Sequence, residues 1–212
     1  MQLTAFALAL SCALASSVSA QVVNGGFEEP NTGFRTVNSG QTFGNWTNQG
    51  PGNIEFVQAV PNGALPNLQF SAFEGQYWID LVGTQSPSAI SQAITGLNPG
   101  GQYRISWAQA GNVWGGNFAF TMQVLWNGNV VAENTQTHGG SNGQLMNWQE
   151  RFVDVTANLT GGPNQLTFRA TTGANSRGPA LDAVSIAPIP APGSVALLAV
   201  AGLAAARRRR AV

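Results

Sequence analysis

Eight residues in the middle of the chain restrict its fold more than any others. Phe118, Phe120, Met122, Val124 and Trp126 alternate with Ala119, Thr121 and Gln123, and Asn127-Gly128 follows at once. Alternation with a period of two is the mark of a half-buried strand. Asn-Gly is the residue pair best suited to the positive φ angles of a type I′ turn, so Val130-Val131-Ala132 is read as the returning strand. Tyr103, Ile105 and Trp107 alternate with Gln102, Arg104 and Ser106 in the same way, after a turn at Leu97-Asn98-Pro99-Gly100. Further strands are expected at Ile54 to Val57, Tyr77 to Val82, Ala89 to Ile94, Trp148 to Val155, Gln165 to Thr171 and Leu181 to Ile186. Asn31 to Asn53 and Pro61 to Ser71 read as long loops. No window between the two ends sustains a helical period. The expected fold is all-β, a β-sandwich of jelly-roll form.

The ends read differently. Residues 1–20 carry no charge, Phe6 to Leu14 are almost wholly apolar, and Val18-Ser19-Ala20 offers small residues before Gln21. This is the pattern of a secretory signal peptide with its cleavage site. The only cysteine is Cys12. An exported chain starting at Gln21 therefore has no disulfide framework, thiolate chemistry or Cys-ligated zinc. At the other end, Pro188, Pro190 and Pro192 precede an apolar run from Gly193 to Ala206, followed by Arg207, Arg208, Arg209 and Arg210. A helix over that run would be roughly 21 Å long, short of the ~30 Å hydrocarbon core. Such a transmembrane helix would hold weakly, with the arginines at the headgroups. The layout resembles the PEP-CTERM sorting signals of bacterial surface proteins, although Pro190-Ala191-Pro192 has alanine where that family usually has glutamate. The resemblance implies export, transient membrane attachment, and an exosortase-like sorting enzyme as partner. The chain thus divides into a signal peptide (1–20), one β domain (21–187) and a sorting tail (188–212).

A domain of that size is expected to bury ~70% of its extended-chain surface, so it needs no metal or disulfide merely to fold. Lysine is absent, and four of the nine arginines lie in the tail. The remaining domain has five arginines against nine acids, a net charge of −4. That charge argues against nucleic acid or anionic lipid as partner.

Five elements, in order, resemble those of galactose-binding-like jelly rolls. They are Val23-Asn24-Gly25-Gly26-Phe27-Glu28, Gly44-Asn45-Trp46-Thr47, Gln76 to Gly83, Ile90 to Tyr103 with its Leu97-Asn98-Pro99-Gly100 core, and Leu181-Asp182-Ala183-Val184-Ser185-Ile186. The chain is similar to choice-of-anchor C and DUF642-type domains, and more distantly to carbohydrate-binding modules. The resemblance implies a surface protein whose first and last strands lie together. It also implies a structural Ca²⁺ held by Glu28 and Asp182 with backbone carbonyls. Two carboxylates that only cap turns are the alternative.

A sugar ring stacks its C–H face on an aromatic side chain and takes hydrogen bonds from amides. Trp114, between Asn112 and Asn117 in a glycine-flanked stretch between two strands, is the tryptophan least easily explained as core. Trp78 is out of phase with Tyr77, Ile79 and Leu81, so it or they face away from the core. The expected glycan contacts are Trp114, Trp78, Asn112 and Asn117. Trp46 and Trp148 are expected to plug the sandwich, and Trp107 and Trp126 to continue its apolar faces. No nucleophile elbow, phosphate loop or histidine metal motif occurs, and the single histidine is His138. Glu74, Asp80, Glu150 and Asp154 could form a glycosidase pair, but nothing in the sequence singles two of them out. The chain therefore reads as a non-enzyme. One reading is a module for extracellular polysaccharide or cell-wall glycan; the other is a structural or adhesive element of the surface matrix with no defined ligand.

Overall fold

The computed structural model describes residues 22–29, 33–59, 70–115, 118–137 and 145–190. The signal segment, the apolar run, Pro192 and the four tail arginines lie outside these residues, as do Asn117 and His138; Pro190 is described and exposed. Among the described residues no helix is long and apolar enough to cross a membrane.

The strands follow in chain order as β1 (Arg35–Val37), β2 (Thr42–Phe43), β3 (Trp46–Asn48), β4 (Ile54–Gln58), β5 (Tyr77–Asp80), β6 (Ala89–Ile94), β7 (Gln102–Gly111), β8 (Ala119–Trp126), β9 (Asn129–Thr137), β10 (Gln149–Thr156), β11 (Asn164–Ala170) and β12 (Pro179–Pro188). They form two six-stranded sheets, ordered β1-β4-β5-β12-β7-β10 (sheet A) and β2-β3-β6-β11-β8-β9 (sheet B). All pairings are antiparallel. The fold is an all-β jelly-roll sandwich, as expected.

The hairpin read from the sequence is β8–β9. Trp126 pairs with Asn129 across a two-residue loop in which Asn127 and Gly128 have φ of 52° and 82°. A second hairpin of the same kind joins β2 and β3 through Gly44 (φ 42°) and Asn45 (φ 72°). The stretch Asn31 to Asn53 is therefore no simple loop; it carries three strands. Each has only two or three residues, too few to show a period. The Gly44-Asn45 pair was the visible signal.

The two sheets enclose one apolar core. Phe168 of β11 lies between Trp46 (ring centroids 6.2 Å apart) and Trp107 (5.8 Å), and Tyr77, Ile79 and Leu81 point into the same layer. Trp46, Trp107 and Trp126 are core residues, as expected. The opening residues clasp the sandwich at one side. Val23 exchanges two hydrogen bonds with the Gln92 side chain of sheet B, and Val184 of sheet A donates its N–H to the Gly25 carbonyl (2.9 Å). A Cβ on Gly25 would stand 1.9 Å from the Val184 carbonyl oxygen, so only glycine allows this approach.

A second apolar cluster lies on the outer side of sheet A, made by Val57, Phe70, Trp78, Ala110, Val113 and Ala180, with Ala72, Met146 and Trp148 packed against it. Trp78 is here, facing away from Tyr77 and Ile79, yet it is 0% exposed. Trp148 is here too, rather than in the sandwich core. Its ring meets Trp78 edge-on at 6.2 Å, and its Nε1 donates to the Ser71 carbonyl (2.9 Å). Residues 70–76 and 145–148 thus act as a partial third layer over sheet A.

Candidate functional site

Where this third layer ends, the outer side of sheet A opens into a cavity of about 370 Å³. Its floor is Glu55 and Val57 of β4; Phe34, Phe70 and Trp114 give it three aromatic walls; Gln58, Asn112, Asn175 and Ser176 complete the lining. Trp114 sits in a single 3₁₀ turn, Val113–Gly115, between β7 and β8. It is 55% exposed, and its ring leans on Phe70 at 5.5 Å and 42°. Phe34 is 61% exposed. Phe34 and Trp114 thus put two exposed aromatic side chains beside one concavity.

Asn112 explains how Trp114 is held. Its side-chain oxygen accepts the Trp114 N–H (2.9 Å), while Nδ2 donates to Asp80 (2.5 Å) and to the Ser176 carbonyl (3.0 Å). At 3% exposure its amide is occupied within the protein. Asn112 therefore positions Trp114 and is not a free glycan donor. Trp78 is corrected more strongly: fully covered by Trp148 and the 70–76 segment, it cannot touch a ligand. Trp114 remains, while Asn117 lies outside the described residues.

One carboxylate lines this cavity and a second is buried beside it. Glu55 and Asp80 are direct cross-strand neighbours on β4 and β5. Glu55 accepts the Ser176 hydroxyl (2.5 Å), and burial raises its pKa against that hydrogen bond. Asp80 is fully buried and accepts the Val82 N–H (2.8 Å) as well as Asn112. Burial pushes its pKa up to about 8, and the neighbouring Glu55 adds to the rise. Asn175 and Ser176 stand in a tight turn closed by the Ala174 N–H and the Arg177 carbonyl (3.1 Å), both with positive φ (54° and 58°). Non-glycine residues in that region carry local strain that the surroundings must hold in place. Across this turn lies a cavity of about 310 Å³ lined by Phe118 and Arg177, and Asn175 lines both.

Glu28 and Asp182 flank one segment. Glu28 Oε1 accepts the N–H groups of Gln76 (2.8 Å) and Tyr77 (3.1 Å). Asp182 Oδ2 accepts those of Phe73 (2.8 Å) and Glu74 (3.1 Å), and its Oδ1 that of Ala183 (2.7 Å). Burial, with Glu74 adding to it, pushes the Asp182 pKa up to about 7 against these three hydrogen bonds. Among the described residues no group of three His, Cys, Asp or Glu side chains is placed to hold a metal ion. Of the other carboxylates named from the sequence, Glu150 is exposed on β10. Asp154 is bound to Arg104 (2.7 and 2.9 Å) on β10 and β7, and Glu74 is in the covering segment.

Phe34, Phe70, Glu55, Asn175 and Ser176 were not singled out by the sequence. They come from separate stretches that only the strand order brings together, and the Asn175-Ser176 turn lacks the glycine that usually marks positive φ.

No protein-family model matches the chain, and no curated protein matches it. Solved structures do. A Stig cyclase, Fisc, from Fischerella sp. TAU, in complex with (3Z)-3-(1-methyl-2-pyrrolidinylidene)-3H-indole, has 19% identity and a TM-score of 0.53, over 83% of this chain and 100% of that one. An apo cyclase from Fischerella sp. has 18% identity and a TM-score of 0.54, over 82% and 97%. The CBM22-1 xylan-binding domain of Paenibacillus barcinonensis Xyn10C has 15% identity and a TM-score of 0.48, over 74% and 94%. At these identities the likeness to the two cyclases is one of fold alone.

Proposed function

We propose that this chain is a non-catalytic glycan-binding domain, exported and displayed at the cell surface, whose ligand is an extracellular polysaccharide or cell-wall glycan. The observation that carries the reading is Trp114, a half-exposed planar ring beside a cavity whose lining includes the amides of Gln58 and Asn175. A sugar stacked on Trp114 would have those amides and the Ser176 hydroxyl within the same concavity. A longer chain would continue past Asn175 toward Phe118 and Arg177, which suits a polymer better than a single sugar. Asp80 is sealed from solvent, so among the described residues one carboxylate lines the cavity, and glycosidase chemistry needs two across the bond. Export rests on the signal-like residues 1–20, and sorting on the prolines, apolar run and arginines of 188–212.

A polysaccharide panel tests the reading, with Trp114→Ala beside the unmodified protein. Saturable binding lost in the variant is the expected result. A folded protein that binds nothing on a broad panel would leave a structural or adhesive surface element instead.

Calcium enters as a structural proposal at Glu28 and Asp182. An ion there would offset carboxylates that have no salt-bridge partner among the described residues, and would tie β12 to residues 73–77. A melting temperature lowered by chelator supports this. An unchanged one leaves both carboxylates as caps for N–H groups.

A further inference from the structure

Resting on the glycan reading, the structure points to a narrower ligand class: we infer that the cavity selects a sugar bearing a free, positively charged amino group. The argument is one of charge and walls. Phe34, Phe70 and Trp114 are three aromatic side chains lining one space, and Phe34 and Trp114 are largely in solvent. Aromatic faces attract cations through their quadrupoles, most strongly where water is partly excluded. Glu55 lies in the floor of the same space and is only 4% exposed. Asp80 is its cross-strand neighbour on β5.

Among the described residues no cation of the protein answers Glu55. The chain has no lysine, and among the described residues no arginine or histidine lines the cavity. Among the described residues the only salt bridge is Arg104–Asp154. Its arginine is on β7, three strands from β4 in the sheet order, roughly 14 Å away. A rim of rings over an uncompensated carboxylate is the complement of an organic ammonium group. For a uronic acid the same floor is repulsive. An N-acetylated sugar keeps the stacking and loses the charge.

The test compares oligosaccharides of one backbone that differ only at nitrogen. Purified full-length protein is titrated with glucosamine oligomers, with N-trimethylated oligomers whose charge is independent of pH, and with N-acetylglucosamine oligomers. The charged oligomers are expected to bind roughly tenfold tighter than the acetylated one, with a preference that shrinks as salt is added. Glu55→Gln should bring the ratio of charged to acetylated affinity close to one. Ser176→Ala, which leaves the carboxylate but removes its hydrogen bond, should keep a ratio above one. If the acetylated oligomer binds as well as the charged ones, or Glu55→Gln leaves the ratio unchanged, while Trp114→Ala still abolishes binding, the ammonium inference falls and the glycan site stands. If no oligosaccharide of any charge binds, both fall together.

Discussion

The outer faces of the two sheets differ in nearly every respect. On sheet B the outward side chains form a polar lattice in solvent: Thr121 with Thr135 (2.8 Å), Gln123 with Glu133 (2.5 Å), and Arg169 donating to Gln123 (3.1 Å). On sheet A, Trp78, Ala110 and Ala180 face outward and are fully buried under residues 70–76 and 145–148, with Asp80 and Asp182 buried on the same side. The difference teaches that a side chain leaving the core is not thereby surface. Sheet B alternates apolar-in and polar-out along β8 and β11. In β5 all four residues are buried, which a strand achieves only with packing on both sides. The cavity belongs to the covered face and lies where its cover stops.

The largest expected break in this contrast is Trp78→Ala. Removing a fully buried indole between sheet and cover should lower stability by about 3–5 kcal/mol in urea unfolding. A loss below about 1 kcal/mol would mean that the cover is a loose flap and the two faces are alike. Next comes pH. Asp80 and Asp182 have folded-state pKa values of about 8 and about 7, against a usual 3.8. Across that interval the folded chain keeps protons that the unfolded chain has released, so stability falls as pH rises from about 4 to about 8 and levels off beyond. Thermal melts across the range should show the decline, and Asp80→Asn should flatten it. A Tm that climbs from pH 5 to 8 would contradict the burial of both groups.

Asp182→Ala should act more locally. It removes the acceptor for the Phe73 and Glu74 N–H groups, with a loss of about 1 kcal/mol. Hydrogen exchange should quicken at those two amides before it does in sheet B. The smallest effect belongs to the polar lattice: Gln123→Ala should change stability by no more than about 0.5 kcal/mol. A larger loss there would show that sheet B's outer face carries stability of its own.

Much of the sandwich was legible because its long strands obey one period and its β8–β9 turn uses the pair that its geometry requires. The third layer was half legible. Trp78's conflict with the phase of Tyr77 and Ile79 marked it as outward, but exposure and cover give an outward tryptophan the same local pattern. Trp148 belongs to the outer layer and not to the core for the same reason. Trp114 stood out because it interrupts two clear strands. Its neighbours in the cavity did not, since Phe34, Glu55 and Ser176 meet only after β1 and β4 pair and the β11–β12 turn folds across them.

That turn has a kinetic consequence. Ser176 is fixed three ways: its N–H to the Gly83 carbonyl (2.8 Å), its own carbonyl to Asn112, and its hydroxyl to Glu55. A wall so tied has little ordering left to do when a ligand arrives. Association should then be a single encounter limited by diffusion and orientation. In a stopped-flow record of Trp114 fluorescence, the observed rate should rise in a straight line with glycan concentration, without the plateau that a closing loop would impose.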